Sequence, residues 1–483
     1  MMEEKNMQKD NIMVKSATER RKFLSELIAI VLGLIVAFTP PPSGLTPKAM
    51  WTLALLAWAV INWVLKIMPD FCVILIMCCA WVLLRIVPFT TAFGVFATPT
   101  IWLLVGVFGI GIGVTKSGLL KRVALKILKL FPPTFNGQIL AMMITGLIIG
   151  PAIPSSMAKI AIASPMASSI GETMGFKANS HGMLGLFAAT YTGYSLLAPA
   201  FISASFFGYM ILSLMPENVQ QQFSWLFWFE AMIPWCVSVF IGCYFAIKMI
   251  YNPGKDASMP KDIIEKQIES LGPMTKNEKI TLVVLVICIV FWILESFIKI
   301  PAVIPAIMGC VLLIVFNIID FQDYNTKIAW HIITFAGGVI AIAGVLKAMS
   351  LIDWFSTNFG AYMGGFVSNP YIFVILGSIV MFLLRFIIVD HMTAFTLFII
   401  ILSPFCLNAG ISPWIAGIIA YVNIMPFVTF YQNIQFVVAY QAFGGEAVIE
   451  YKRTISFYFV YMIINICALL VSVPYWKLLG LIK

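Results

Sequence analysis

Four ionisable side chains stand in stretches otherwise too apolar to hold them. Lys159 follows the run Gly150-Pro151-Ala152-Ile153-Pro154-Ser155-Ser156-Met157-Ala158, while Arg385, Asp390 and His391 share a second such run. A charge in hydrocarbon is costly, so it is retained where it pairs, lines a wet cavity or acts on a passing solute. Lysine and histidine offer positive charge, and the neighbouring hydroxyls of Ser155, Ser156 and Thr393 offer hydrogen bonds. Together these groups suit a small anion. Lys159 has three readings: charge partner at such a site, salt bridge to Glu172 or Asp390, or a long stem reaching toward the interface. His391 either contacts the anion and balances charge, or packs as a satisfied histidine beside Asp390. Asp390 either orients a cation or carries a proton, and Arg385 either meets an acidic partner near the outer face or attracts anions. From later in the chain, Gln432 and Asn433 either complete the pocket, with Tyr431, or join helices. Ser203, with Ser195 and Ser205, is a further candidate.

The elements that must position these residues are membrane helices. Of 483 residues, 61% are hydrophobic and only 11% charged, against roughly 25% charged in a soluble domain. The mean hydropathy is +0.98. Apolar runs of helical length favour an all-α bundle over a β-barrel. Crossings are predicted near 23–39, 48–66, 69–88, 98–116, 182–213, 228–250, 278–297, 301–319, 328–349, 411–443 and 454–475, which makes about eleven. The run Lys116–Lys129 alternates basic and apolar residues. It reads either as an amphipathic surface helix or as an ordinary basic loop.

Two segments do not fit a simple crossing. Ile139–Ile149 is short and stops at Gly150-Pro151, whereas a core of roughly 30 Å takes about 20 helical residues. A re-entrant hairpin over about 137–175, or one helix broken at the prolines, fits better. A second split hairpin covers about 370–409. Non-helical backbone at depth must be buried in protein or line a wet cavity, so both tips are candidate binding sites. Each is followed by a long interrupted segment, broken near Tyr194–Pro199 in the first and near Pro426–Asn433 in the second. This pattern predicts an inverted repeat with its site at mid-membrane. Residues 1–22 form a polar tail, 23–250 a first membrane half, 251–277 a charged linker and 278–483 a second membrane half. Glycines 106, 109, 111 and 113, then 337, 338 and 344, precede the hairpins. They either allow close helix contacts or are generic packing residues.

The net charge of +9 has a topological explanation. With the N-terminus cytoplasmic, the C-terminus outside and both hairpins re-entrant, 22 of the 30 Lys and Arg fall on the cytoplasmic side and six outside, as the positive-inside rule requires. The chain is then a multi-pass protein of the plasma (bacterial inner) membrane, with the bilayer as its partner. The first apolar run is retained rather than cleaved. No basic and aromatic patch suggests nucleic acid. His181, His331 and His391 share no metal spacing, and none of the nine cysteines makes a metal motif. No enzyme chemistry, metal or cofactor is expected. A channel would need a continuous polar path, whereas two broken hairpins suit gated alternating access.

At these hairpins the chain resembles the divalent anion:sodium symporter family of dicarboxylate and citrate carriers, over about residues 23–476. The paired hairpins, the preceding Gly-rich helices, the interrupted segments and the stretch Tyr431-Gln432-Asn433-Ile434-Gln435 with Tyr440 and Gly444 carry the resemblance. It implies an elevator-type homodimer with a scaffold and a moving transport part. The implied substrates are small dicarboxylates (succinate, malate, fumarate, 2-oxoglutarate) or citrate. The family's Ser-Asn-Thr signature, which holds substrate carboxylates and helps coordinate sodium, aligns with Ser155-Ser156-Met157 and with Asp390-His391-Met392, followed by Thr393. Its asparagines and threonines are absent here, and Ser203-Ala204-Ser205 stands near where the family has Gly-Thr-x-x-Asn. The implied substrate-binding set is Ser155, Ser156, Met157, Lys159, Ser203, His391, Met392, Thr393, Gln432 and Asn433, with Lys159, Asp390 and His391 as coupling or charge-balancing residues. Methionine is a poor sodium ligand, and a fixed ammonium can supply the charge balance of a bound cation. A degenerate or absent sodium site and sodium-independent dicarboxylate exchange are therefore expected. The alternative is sodium- or proton-coupled symport of dicarboxylate, citrate, tartrate, sulfate or a related anion.

Overall fold

The computed structural model of the chain describes residues 2–254, 257–260, 262–429 and 432–483, with the side chains of 2–19, 296, 356 and 359–364 outside that description. Tyr431, a candidate pocket residue, also lies outside the described residues. Nine helices among the described residues are long and apolar enough to cross a membrane. The fold is all-α and multi-spanning. Apolar side chains are exposed at helical spacing, for example Val237, Ile241 and Phe245 on Trp225–Ile250, and Val283, Val286 and Val290 on Lys276–Ile298. Water would penalise such stripes, whereas lipid solvates them.

The chain forms two compact units, each drawing on both sequence halves. One comprises residues 1–97 and 330–361. Within it, Trp63 packs edge-on against Phe335 at 5.7 Å. Gly337 and Gly338 face Phe96 and Ile74 so closely that a Cβ would meet them at 2.4 and 2.1 Å. These two glycines serve close packing, whereas a Cβ on Gly344 would meet nothing.

The other unit, residues 98–329 and 362–483, holds both segments predicted as hairpins. Eight helices frame the site. The first hairpin is α1 (Phe135–Ile149) and α2 (Ser156–Thr173). The first interrupted segment is α3 (His181–Tyr191), a π turn at Thr192–Leu196, short 3-10 turns, and α4 (Phe206–Ser213). The second hairpin is α5 (Pro370–Ile387) and α6 (His391–Asn408). The second interrupted segment is α7 (Pro413–Asn423) and α8 (Ile434–Phe443). Three of these four arms, α1 extended by the turn to Ala152, α5 and α6, are among the nine long apolar helices, and α2 is not.

Local chemistry explains each break. Gly150-Pro151-Ala152 tightens into a 3-10 turn and Ile153 is extended, because Pro154 disfavours helical backbone in the residue before it. Ser155 then caps α2 by accepting from Ala158 N at 3.2 Å. At the second tip Ile388 is extended and Asp390 caps α6, accepting from Thr393 N at 2.7 Å. Asn433 restarts the second segment by accepting from Gln435 N and Phe436 N at 3.0 and 3.1 Å. Such side-chain acceptors satisfy first-turn N–H groups that have no helical partner.

Small residues bring the elements together. A Cβ on Gly146 of α1 would lie 2.2 Å from the Gly193 carbonyl carbon in the π turn, so these backbones nearly touch. Gly106, Gly109 and Gly113 of the helix Pro99–Lys116 leave no room before Ala306, Cys310 and Leu313 of Val303–Val315, and a Cβ on Gly111 would meet Pro154 of the first tip at 3.0 Å. The helix Leu119–Lys129 buries Leu120, Leu125 and Leu128. Its Arg122 is buried too, paired with Glu278 at 2.7 Å and bonded to the carbonyls of Leu271, Gly272 and Pro273. This basic stretch is thus helical and tied to the linker.

Candidate anion-binding site

Each tip combines a helix start with a buried cation. Lys159 lies in the first turn of α2 with no exposed surface. Its ammonium donates to Ala204 O at 2.9 Å and to Gly150 O at 3.5 Å. Gly150 ends the first arm of the hairpin, and Ala204 lies in the break between α3 and α4. Lys159 therefore binds carbonyls rather than Glu172 or Asp390, and it does not reach toward the interface. One side chain holds two stretches of interrupted backbone together and satisfies oxygens that the breaks set free.

The second tip uses more residues. Arg385, also fully buried, donates to Ile388 O at 2.8 Å and to the carbonyls of Val389 and Gln432. Nε2 of His391 lies 3.1 Å from the same Gln432 oxygen. Asp390 accepts from both the backbone N–H and the hydroxyl of Thr393, the latter at 2.8 Å. Its carboxylate is thus engaged within the cap of α6.

The two tips approach one another through the first break. Phe207, which follows Ser205 at the start of α4, has its ring 6.5 Å from that of His391 and 5.1 Å from Phe395. The breaks themselves are joined. Ser195 donates to Gln435 Oε1 at 2.9 Å, and Asn433 donates to the Tyr191 hydroxyl at 3.0 Å and to Met425 O at 2.6 Å. Gln432 accepts from Val428 N and Thr429 N at 2.8 and 3.0 Å. The side-chain amides of Gln432 and Asn433 are thus bonded to protein groups that shape the second break.

The remaining candidates differ in what they offer. Ser156 is buried, and its hydroxyl has no partner among the described residues. Ser155, Met157 and Met392 are partly exposed. Met157 and Met392 occupy matching places in the two tips, one residue into each helix. Ser203 accepts from Trp225 Nε1 at 2.9 Å, and Ser205 caps α4. Tyr191 and Gln435 were not singled out as candidates from sequence. The only hint was their polar character beside a break, Tyr191 at the end of α3 and Gln435 in the first turn of α8.

This arrangement is suited to holding an anion. First-turn N–H groups and helix dipoles converge on the tips, with hydroxyls beside them and a cation behind each. No group of three or more His, Cys, Asp or Glu placed to hold a metal occurs among the described residues. A sodium ion would need oxygen ligands. The carbonyls of Gly150 and Ala204 are bonded to the Lys159 ammonium and those of Ile388, Val389 and Gln432 to the Arg385 guanidinium, so an ion using these oxygens would stand against a fixed like charge. A cavity of about 290 Å³ lies beside the first break, lined by Ile202, Tyr209, Trp225 and Glu295 among others. It includes no residue of either tip, and its carboxylate disfavours an anion.

Paired helices and interrupted segments of this kind define a class of multi-spanning membrane folds. The fold resembles the solved structure of Neisseria gonorrhoeae MtrF (TM-score 0.57, 12% identity, 95% of this chain and 94% of that one). It also resembles the Alcanivorax borkumensis YdaH transporter (TM-score 0.54, 13% identity, 81% and 88%). At such identities the likeness concerns fold alone. Within that class, the chain belongs to the family described as sodium:sulfate symporter transmembrane region, matched over residues 20–482. This is the divalent anion:sodium symporter family, whose members are transporters and not enzymes. Relatives include dicarboxylate transporter 1, chloroplastic, of Arabidopsis thaliana, 28% identical over 70% of this chain and 62% of its own length. The putative malate transporter YflS of Bacillus subtilis is 26% identical over 71% and 74%. The chain thus spans less than two thirds of the plant relative. It is a multi-pass membrane protein of this family.

Proposed function

We propose that the protein exchanges one small dicarboxylate for another, a C4 acid or 2-oxoglutarate, across the plasma membrane without using sodium. The observation that carries this reading is Lys159, wholly buried at the first tip and bonded to the carbonyls of Gly150 and Ala204. A tethered ammonium supplies positive charge at the site but cannot leave with the substrate. The empty carrier then holds an uncompensated buried charge, which disfavours its return and favours loaded exchange. The substrate class follows the resemblance and is supported by relatives described as dicarboxylate and malate transporters.

In this reading the substrate lies between the tips. Ser155 and Ser156 supply hydroxyls, the starts of α2 and α6 supply N–H groups, Lys159 supplies charge, His391 contacts the substrate, and Thr393 holds the Asp390 cap beside it. Met157 and Met392 line the site. Ser203, Gln432 and Asn433 shape it from the breaks, and Asp390 orders the second tip. The chain crosses the membrane eleven times, with both hairpins re-entrant, the N-terminus and the 251–277 linker cytoplasmic, and the C-terminus outside. It works as a homodimer, the hairpins and interrupted segments moving as one body in an elevator cycle.

Sodium-coupled symport of a divalent anion is the competing reading, favoured by the family description itself. Uptake of labelled malate into proteoliposomes separates the two. Exchange predicts equal uptake in sodium and in choline, and strong dependence on internal dicarboxylate. Uptake into empty vesicles that requires external sodium would establish symport instead.

A further inference from the structure

Arg385 does for the second hairpin what Lys159 does for the first, but from a different place in the chain. Lys159 follows the capping residue Ser155 by four positions. The matching position after Asp390 is Ala394, buried and uncharged. The charge at the second tip enters from the arm before the tip, on α5. Even so, each cation reaches the equivalent pair of elements in its own half. Lys159 bonds the end of α1 through Gly150 and the break before α4 through Ala204. Arg385 bonds the backbone after α5 through Ile388 and Val389, and the break before α8 through Gln432. A repeated position would explain two such residues by descent alone. Different positions with partners in equivalent places indicate that the job itself is required.

Helix ends explain why. The carbonyls after α5 carry the negative end of its dipole. Left bare, they would repel an anion and would be buried without donors. A guanidinium presents several donors in one plane and can serve three carbonyls at once, which an ammonium on a flexible stem does less well. Nε of Arg385 has no partner among the described residues, so one buried donor remains.

We infer that Arg385 is the second built-in cation of this carrier, a positioning residue that fastens the second tip to the broken helix and turns its field toward anions. This rests on the anion-transport reading and adds that each hairpin carries its own tethered cation, the second one facing the Asp390 carboxylate of its own tip. Because three carbonyls share the fork, its loss removes charge-assisted hydrogen bonds, each stronger than a neutral one.

Chemical rescue tests it. Arg385→Ala is expected to lower malate exchange by at least about tenfold, the equivalent of one such bond. Millimolar guanidinium should raise both its exchange and its melting temperature toward wild type, while choline at equal ionic strength should do neither. Arg385→Gln keeps an amide donor but no charge and is expected to exchange as slowly as Arg385→Ala, with Arg385→Lys faster than both. If Arg385→Ala does not fold, the Gln and Lys variants carry the comparison. Exchange at the wild-type rate in Arg385→Gln, or a folded Arg385→Ala that guanidinium does not stabilise, would overturn the inference. The melting measurement uses no substrate, so a wild-type protein that proves to need sodium counts against the proposed function and not against this role.

Discussion

Lys159 and Arg385 face one electrostatic problem, a buried positive charge with no carboxylate bonded to it among the described residues, and solve it with backbone oxygens. Removing the donor from such a pair leaves buried carbonyls without partners. Each unsatisfied group costs roughly 1–3 kcal/mol. Lys159→Met, close in volume, should therefore lower the melting temperature in a thermal-unfolding scan and abolish exchange. An unchanged melting temperature would mean that the bonds to Gly150 and Ala204 contribute nothing. The two cations were legible in the sequence because a charge among apolar residues stands out. Their partners were not. Ala204 and Gln432 are more than forty positions away, and any backbone carbonyl looks alike in sequence. Arg385 shows the limit well: its place near the end of an apolar run fitted an outer-face role, and only the fold turns it inward. Gln432 and Asn433 stood out as polar residues beside a break, but sequence does not distinguish an amide that faces a ligand from one that caps a helix.

Elements are set by breaks and caps that sequence reports clearly. Pro151, Pro154 and Gly150 mark the first tip, and the predicted interruption at Tyr194–Pro199 is a π turn followed by 3-10 turns. The contact between Gly146 and Gly193 was not legible, since the glycines lie in different elements and neither sits in a motif. Gly146→Ala would drive a Cβ into backbone that cannot swing away. Overpacking of this kind costs about 1–3 kcal/mol, so a clear drop in melting temperature is expected, with the first tip displaced. Removal of the cap in Asn433→Ala should cost about 0.5–2 kcal/mol and also frees the Tyr191 hydroxyl. Asn433→Asp keeps the cap oxygen and should recover part of that loss in the same scan.

Outside the membrane helices, the short helix Phe321–Lys327 is held by charge. Asp323 is buried, which pushes its carboxyl up, but Lys116 and Lys327 outweigh this and hold it well below the ordinary value. A carboxyl depressed in the folded state contributes stability at any pH above its unfolded value, about 3.9. That contribution falls away as pH drops below it toward the folded value. Melting temperature should thus be insensitive to this group between pH 5 and 8 and decline in more acid buffer. Asp323→Asn should show a lower melting temperature at neutral pH and a shallower acid decline. Parallel curves for the two proteins would exclude the linkage.

At the scale of the whole molecule, composition and apolar periodicity made the all-α membrane class plain, because no soluble core could absorb so much apolar surface. The two compact units were less legible, since each gathers segments from both halves and contacts so distant in sequence leave no local mark. The proposed topology has a direct check. Ser270→Cys in the linker should react with an impermeant thiol reagent from the cytoplasmic side only, and Lys48→Cys from the outside only. Labelling of both from one side would remove the charge-bias argument for eleven crossings. The central claim is that tethered cations do the work of a mobile one, and equilibrium binding tests it most directly. Calorimetry of malate binding to the purified protein, in choline buffer and then in sodium buffer, should give the same Kd in both. Binding that appears only when sodium is added would contradict the account.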